Sequence, residues 1–250
     1  MNANDVCSQP ATSDERSVSI RDLRNRLCQF QHRLRSNECV ANVVSTGVSA
    51  LDGILPGGGL LRGTLSEWIA AVPGSGAASL AMRVASEAQQ EGPLIIVDRQ
   101  KQFYAPAFHA TGVCLNRTIL VRPESRGDEL WAVEKALRCP GVGAVVCQLE
   151  RLRMQEFRRL QLAAEAGTAV GLLIRPSIAH RQSGWASVRL LVTPRLSVPR
   201  RFRRCLEVRC LYVKGGLADR TVQMEVCDET NTVCMAAEVS HSATVQAAGA

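Results

Sequence analysis

Residues 45–82 read STGVSALDGILPGGGLLRGTLSEWIAAVPGSGAASLAM, and the second half of this stretch decides the fold. After Leu65, the run 66–71 is β-type, with Trp68 and Ile69 at its centre. A Pro-Gly-Ser-Gly turn follows, then an Ala/Leu/Met-rich run that reads as a helix. Strand, glycine loop and helix make the geometry of a phosphate cradle, because the loop and the helix N-terminus aim backbone N–H groups at an anion. Here Gly74, Ser75 and Gly76 would supply those groups as the cofactor-binding residues. Such a cradle normally runs G-x-x-x-x-G-K-[ST], its lysine reaching the outer phosphates and its hydroxyl holding Mg²⁺. The matching positions are Ala71, four residues, Gly76, Ala77 and Ala78, so the shape is present and the charge is missing.

The chain holds only Lys101, Lys135 and Lys214, so no shift of register brings a lysine to this helix start. Arg83 lies two helical turns beyond Gly76, and Ser79 offers a hydroxyl one place late. The same residues also fit an ordinary strand–turn–helix whose small side chains allow close packing. The loop by itself does not separate the two readings.

The flanking residues say more. Thr46-Gly47-Val48-Ser49-Ala50-Leu51-Asp52, then Leu55-Pro56-Gly57-Gly58-Gly59-Leu60 and Arg62-Gly63, strongly resemble the segment before the phosphate loop of RecA-type recombinases. Within that superfamily, LPGGG-x-x-RG and a lysine-free P-G-x-G loop resemble the ImuA-type accessory proteins of bacterial inducible-mutagenesis cassettes. Trp185-Ala186-Ser187-Val188-Arg189-Leu190-Leu191 and the arginine-rich run 199–214 look like the C-terminal part of that family. The resemblance covers roughly residues 44–228, specific in its first block and loose in the middle. It implies a RecA-like P-loop NTPase fold of the α/β class. Its central sheet would be mostly parallel and flanked by helices, with antiparallel strands at the C-terminal end. It also implies support of SOS-type, error-prone translesion synthesis and DNA repair. The implied partners are RecA, a Y-family-like polymerase partner protein (ImuB-type), an error-prone replicative-type DNA polymerase and single-stranded DNA.

Composition agrees with a globular α/β protein: 250 residues, 46% hydrophobic and 21% charged, suffice for one buried core with appendages. No apolar run approaches the roughly 18 residues that span a bilayer, and the start MNANDVCSQP lacks a basic-then-apolar signal pattern. The expected location is the cytoplasm, with no membrane partner. The ten cysteines are scattered, without a C-x-x-C pair or histidines at ligand spacing. Reduced buried thiols are therefore expected at Cys147, Cys205, Cys210 and Cys227, and no metal site. The net charge of +7 is nearly all arginine and allows an acidic partner without demanding one.

Residues 1–16 are polar and read as a disordered tail. In 17–36 the apolar positions Ile20, Leu23, Leu27, Phe30 and Leu34 fall at spacings of three and four, one helical stripe, with Arg21, Arg24, Arg26, Arg33 and Arg35 on other faces. This helix either packs on its own domain or docks on another protein, as the N-terminal helix of RecA-type proteins does on a neighbouring subunit. A linker at 37–42 precedes the core, 43–228. There the runs 93–98, 118–121, 144–149 and 169–174 read as parallel strands buried on both faces. Helices over 77–90, 105–111, 128–138 and 154–166 alternate with them. The runs 188–192, 205–213 and 221–226 have no helices between them and predict antiparallel hairpins, with Gly215-Gly216 in one turn. The tail 236–250 reads as flexible.

If the resemblance is in register, two carboxylates are missing from the chemistry. The position of the base that activates water is Gln100, and that of the Mg²⁺-supporting acid, at the end of the run 144–148, is Gln148. Glu150 is the one candidate substitute. Lysine, hydroxyl and both acids are thus absent from one site, which argues against hydrolysis, assigns no catalytic residue and makes ATP an unexpected cofactor. Weak nucleotide binding through loop N–H groups stays open. Asp52 reads as a turn or capping residue, and His32, His109, His180 and His241 are dispersed. The strongest contact candidate is the cluster Arg195, Arg200, Arg201, Phe202, Arg203 and Arg204, arginine with an interleaved aromatic, suited to DNA or to a partner protein. A solvated arginine-rich face is the competing reading. The alternatives in function are an ATP-dependent RecA-type recombination ATPase with an atypical loop, a SulA-like division inhibitor, and a plain DNA-binding module.

Overall fold

A computed structural model describes residues 42–182, 184–195, 203–227 and 233–235. Chain contacts divide the molecule into residues 1–42 and 43–250, and the described helices and strands all lie in the second unit. The stripe of Ile20, Leu23, Leu27, Phe30 and Leu34 and both predicted tails lie outside the described residues.

The core is a nine-stranded sheet. Its strands are β3 (Leu65–Ala70), β4 (Leu94–Val97), β5 (Thr118–Val121), β6 (Ala144–Gln148), β7 (Val170–Arg175), β8 (Val188–Arg195), β9 (Arg203–Val213), β10 (Thr221–Cys227) and β11 (Val233–Met235). They lie in the order β5-β4-β6-β7-β3-β8-β9-β10-β11. From β5 to β8 every neighbouring pair is parallel, and from β8 onward every pair is antiparallel. This is the RecA-like α/β architecture that the sequence predicts. The glycine loop leaves β3, the strand between β7 and β8. A small ribbon, β1 (Val43–Val44) with β2 (Leu60–Leu61), precedes the sheet.

Helices cover both faces: α1 (Ser49–Asp52), α2 (Ala77–Ala88), α3 (Ala105–Ala110), α4 (Arg126–Arg138) and α5 (Met154–Gly167). The period-two alternation of strands assigns the side chains. Trp68, Ile96, Val146 and Leu172 enter the core shared with α2, whereas Leu65, Val97, Val145 and Leu173 enter the one shared with α4 and α5. Where α5 ends against α4, Gly167 is so close that a Cβ would sit 2.0 Å from the Leu137 carbonyl oxygen, which excludes any side chain there.

One helix start and the burial of one strand differ from the sequence reading for local reasons. Helix α4 starts at Arg126 rather than 128, because Ser125 caps it, its Oγ accepting from the Asp128 N–H at 3.1 Å. Strand β5 is not buried on both faces. It is an edge strand, and Ile119 is 51% exposed, while α4 packs chiefly over β4 and β6.

Among the described cysteines, Cys147 and Cys210 are buried, Cys205 and Cys227 half-buried, and Cys114 and Cys139 exposed. Burial pushes the Cys210 thiol up to about 11 and raises Cys147 further still. On the native chain at pH 8, alkylation of Cys210 and Cys147 is expected to run on the order of a hundredfold slower than that of Cys114 and Cys139, read by peptide mapping. The folded state keeps these protons above the ordinary thiol value of 9.0, so stability falls as pH rises from there toward about 11. Equal labelling of all four would show that the core opens on the labelling timescale.

Candidate functional site at the carboxyl end of the sheet

In open parallel sheets, ligands bind outside the carboxyl ends of the strands. The loops after β3, β4, β6 and β7 all emerge at that end. The loop after β3 joins strand to helix as expected, but the Ser75 N–H, one of the groups expected to face an anion, is engaged inside the loop. Ala71 N–H donates to Val192 O at 3.0 Å and Ser75 N–H to Val72 O at 3.1 Å, while Gly76 caps α2 in the left-handed region with φ 90°. A side chain at Gly76 would suffer twice: from that φ, and from Leu206 of β9, whose Cδ1 would lie 2.8 Å from a Cβ. The antiparallel extension therefore lays an apolar residue against the loop. A shallow cleft lined by Gly76, Ser79, Leu80, Arg83, Arg204 and Leu206 opens beside α2. Ser75 is buried, and its Oγ has no partner among the described residues. Ala77 and Ala78 occupy the first turn of α2 and bring neither cation nor hydroxyl.

The block 45–52 that precedes the loop is a packed turn. The Asp52 carboxylate accepts from the Thr46 N–H and Thr46 Oγ1, both at 2.8 Å, and from Ser45 Oγ at 2.6 Å. Arg83 ties that turn to α2, its Nε donating to Gly47 O at 3.1 Å.

The acids near this end are also engaged in structure. Asp98, at the end of β4, accepts from the Gln102 and Phe103 N–H groups at 2.8 and 3.0 Å and so shapes the following loop. Gln100 Nε2 donates to Glu150 Oε1 at 3.1 Å. The residue at the expected base position and the candidate substitute acid thus meet each other. No set of three His, Cys, Asp or Glu side chains able to hold a metal occurs among the described residues.

Of the arginine cluster, Arg200, Arg201 and Phe202 lie outside the described residues. Arg195, the last residue of β8, pairs with Cys205 of β9, and Arg203 and Arg204 begin β9 just before that pair. Arg195 lies 3.6 Å from Glu207, the acid visible in the sequence, and Arg203 3.1 Å from Glu225. Glu225 escaped the sequence reading because β10 brings it in as a cross-strand neighbour of Cys205.

The sequence reading also passed over a buried charge system. Glu67, in the middle of β3, accepts from Arg175 of β7 at 2.9 Å and from Arg189 of β8 at 2.5 Å. Arg175 also reaches Gln182 at 2.9 Å and Arg189 reaches Ala179 O at 2.6 Å, which fastens the turn Ser177–Arg181 over the strand ends. Burial lowers the Arg175 guanidinium's pKa from its ordinary value, opposed by the Glu67 charge. The only hint in sequence is a glutamate inside the apolar run LSEWIA.

With this geometry in place, likeness to known proteins fits. No family model matches the chain. RecA from Chlorobium chlorochromatii is 39% identical over 104 residues, 41% of this chain and 29% of that protein. ImuA from Caulobacter vibrioides is 31% identical over 142 residues, 53% of this chain and 57% of that protein. The cell division inhibitor SulA from Edwardsiella piscicida is 36% identical over 67 residues, 27% of this chain and 40% of that protein. The chain is an α/β protein with a RecA-like fold whose sequence is similar to RecA over part of its length. It is likewise similar to ImuA, with SulA a weaker likeness, and it spans a little over half the length of the ImuA it matches.

Proposed function

We propose that this protein is a non-catalytic RecA-like accessory factor that supports error-prone translesion synthesis and repair after DNA damage, acting through contacts in the cytoplasm. The observation that carries the reading is the state of the glycine loop. The order strand, glycine loop, helix is kept, the residues at the lysine and hydroxyl positions are Ala77 and Ala78, and Leu206 lies against Gly76. A RecA-shaped surface without an ATP cycle works by mimicry, docking where a RecA subunit would dock. The likeness to RecA and ImuA supports RecA itself as a partner, and the cassette's polymerase proteins as others. The surfaces assigned to this task are the stripe Ile20, Leu23, Leu27, Phe30 and Leu34 and the cluster Arg195–Arg204, the latter also for single-stranded DNA.

Purified RecA is expected to bind the full chain equally with and without ATP. The variant Leu23→Glu/Leu27→Glu should weaken that binding at least about tenfold, the loss of roughly 1.4 kcal/mol from one apolar anchor. RecA binding that the variant leaves unchanged would dismiss the docking helix, and binding to neither RecA nor polymerase components would dismiss the reading itself. The SulA likeness carries a second reading, division inhibition, which predicts that the purified chain blocks assembly of the division GTPase.

A further inference from the structure

Beside the turn after β7, one strip of surface is apolar and basic at once. On α5, Met154, Arg158 and Leu162 recur at four-residue spacing and share a face, and all three are exposed. Trp185, in the segment leading to β8, lies against this face with the Arg158 guanidinium 5.1 Å from its ring centre, and still leaves about half of its surface in water. The two elements are held together from below, where a Cβ on Gly184 would come within 3.1 Å of the Phe157 ring. Ile178 and Arg181 of the turn are exposed, as are Arg151 and Arg153 just before α5. Among the described residues, Arg151, Arg153, Arg158 and Arg181 have no carboxylate within ion-pair reach, whereas Arg126 and Arg159 close by are tied to Glu156 and Glu134. Glu165, a turn further along α5, is engaged by Gln161 at 3.0 Å.

A half-exposed tryptophan under a guanidinium, flanked by methionine and leucine, has the make-up of the central contacts of a protein interface, where Trp, Met and Arg are enriched. We propose that this strip is a docking surface for an acidic, amphipathic segment of a partner protein. The partner's apolar residues cover Met154, Leu162 and Trp185, and its carboxylates pair with Arg151, Arg153, Arg158 and Arg181. Charge complementarity selects this occupant. The chain's own segment 17–35 carries Arg21, Arg24, Arg26, Arg33 and Arg35 against Asp22 and has the wrong sign. A nucleic-acid strand matches the arginines but leaves Met154, Leu162 and Ile178 without apolar partners. The inference stands on exposure and charge and needs neither the lost nucleotide chemistry nor the repair role.

The test uses the full chain and a fluorescent helical peptide with one leucine face and one glutamate face, followed by anisotropy. Saturable binding is expected, weakened about tenfold by Trp185→Ala and by Met154→Ala/Leu162→Ala. Arg153→Glu/Arg158→Glu should abolish it and transfer binding to the same peptide with lysine in place of glutamate. Urea midpoints of all variants separate lost docking from lost folding. Three results would overturn the proposal. The first is equal binding of the glutamate and lysine peptides, or of neither, to the unaltered chain. The second is oligo-dT binding with the same sensitivity to Trp185→Ala, which would make this a nucleic-acid surface. The third is displacement of the glutamate peptide by a synthetic 17–35 peptide, which would make the occupant the chain itself.

Discussion

Glu67→Ala is expected to lower the unfolding free energy by about 3–5 kcal/mol, because it leaves buried arginine charge without its counter-ion. The Glu67 and Arg175 side chains are 2% and 1% exposed, so water does not replace the lost carboxylate. Arg189, at 12%, has somewhat more access and contributes less of the loss. Burial already disfavours the charged form of Arg175, and the Glu67 charge is the largest opposing influence. Glu67→Gln keeps one acceptor and the shape but removes the charge, and should cost less than alanine. Glu67→Leu/Arg175→Met should be milder than Glu67→Ala alone, since removing both partners removes the unpaired charge as well. Urea unfolding with an unchanged denaturant slope is the measurement. A loss below about 1 kcal/mol for Glu67→Ala, the range of exposed ion pairs, would mean that the site is wet and the network superficial. The same variant should speed hydrogen exchange in the turn Ser177–Arg181, which Arg175 and Arg189 fasten through Gln182 and Ala179.

Features carried by local periodicity were legible in the sequence. The apolar runs of β4, β6 and β7 and the helical stretches between them came from pattern, and so did the helix-free C-terminal hairpins. Features carried by distant pairing were not. Glu67 finds its partners 108 and 122 residues away, and no window of sequence joins LSEWIA to Arg175 or Arg189. The exposure of β5 is a property of sheet order: TILV reads the same at an edge as in the middle. Of the candidate site, the missing lysine and hydroxyl were plain in the letters. Leu206 lying against Gly76 required the antiparallel extension to be folded back beside the loop. The engagement of Asp98 by two backbone N–H groups, and the meeting of Gln100 with Glu150, likewise became visible only in the fold.

Restoring the letters of the loop is not expected to restore the reaction. Ala77→Lys/Ala78→Thr supplies the lysine and hydroxyl that a phosphate cradle uses. ATP turnover should nevertheless stay at background, at least about 10⁴-fold below a competent site, since each missing transition-state group costs on the order of 10²–10³ in rate and more than one is still missing. The acids are the reason. Asp98 is spent on the Gln102 and Phe103 N–H groups, Gln100 cannot take a proton from water, and Glu150 is held by Gln100. Sterics add to it, because the Leu206 side chain packs against Gly76 and crowds the loop. A triple variant that adds Leu206→Ala should therefore gain nucleotide binding, seen by calorimetry, while release of inorganic phosphate does not rise. Phosphate release by Ala77→Lys/Ala78→Thr alone would show that the carboxylates are competent after all, and that the unaltered loop lost its cation without losing the rest of the machine. Binding gained only with Leu206→Ala would instead separate two layers of inactivation, one in the loop's own letters and one in the strand folded against it.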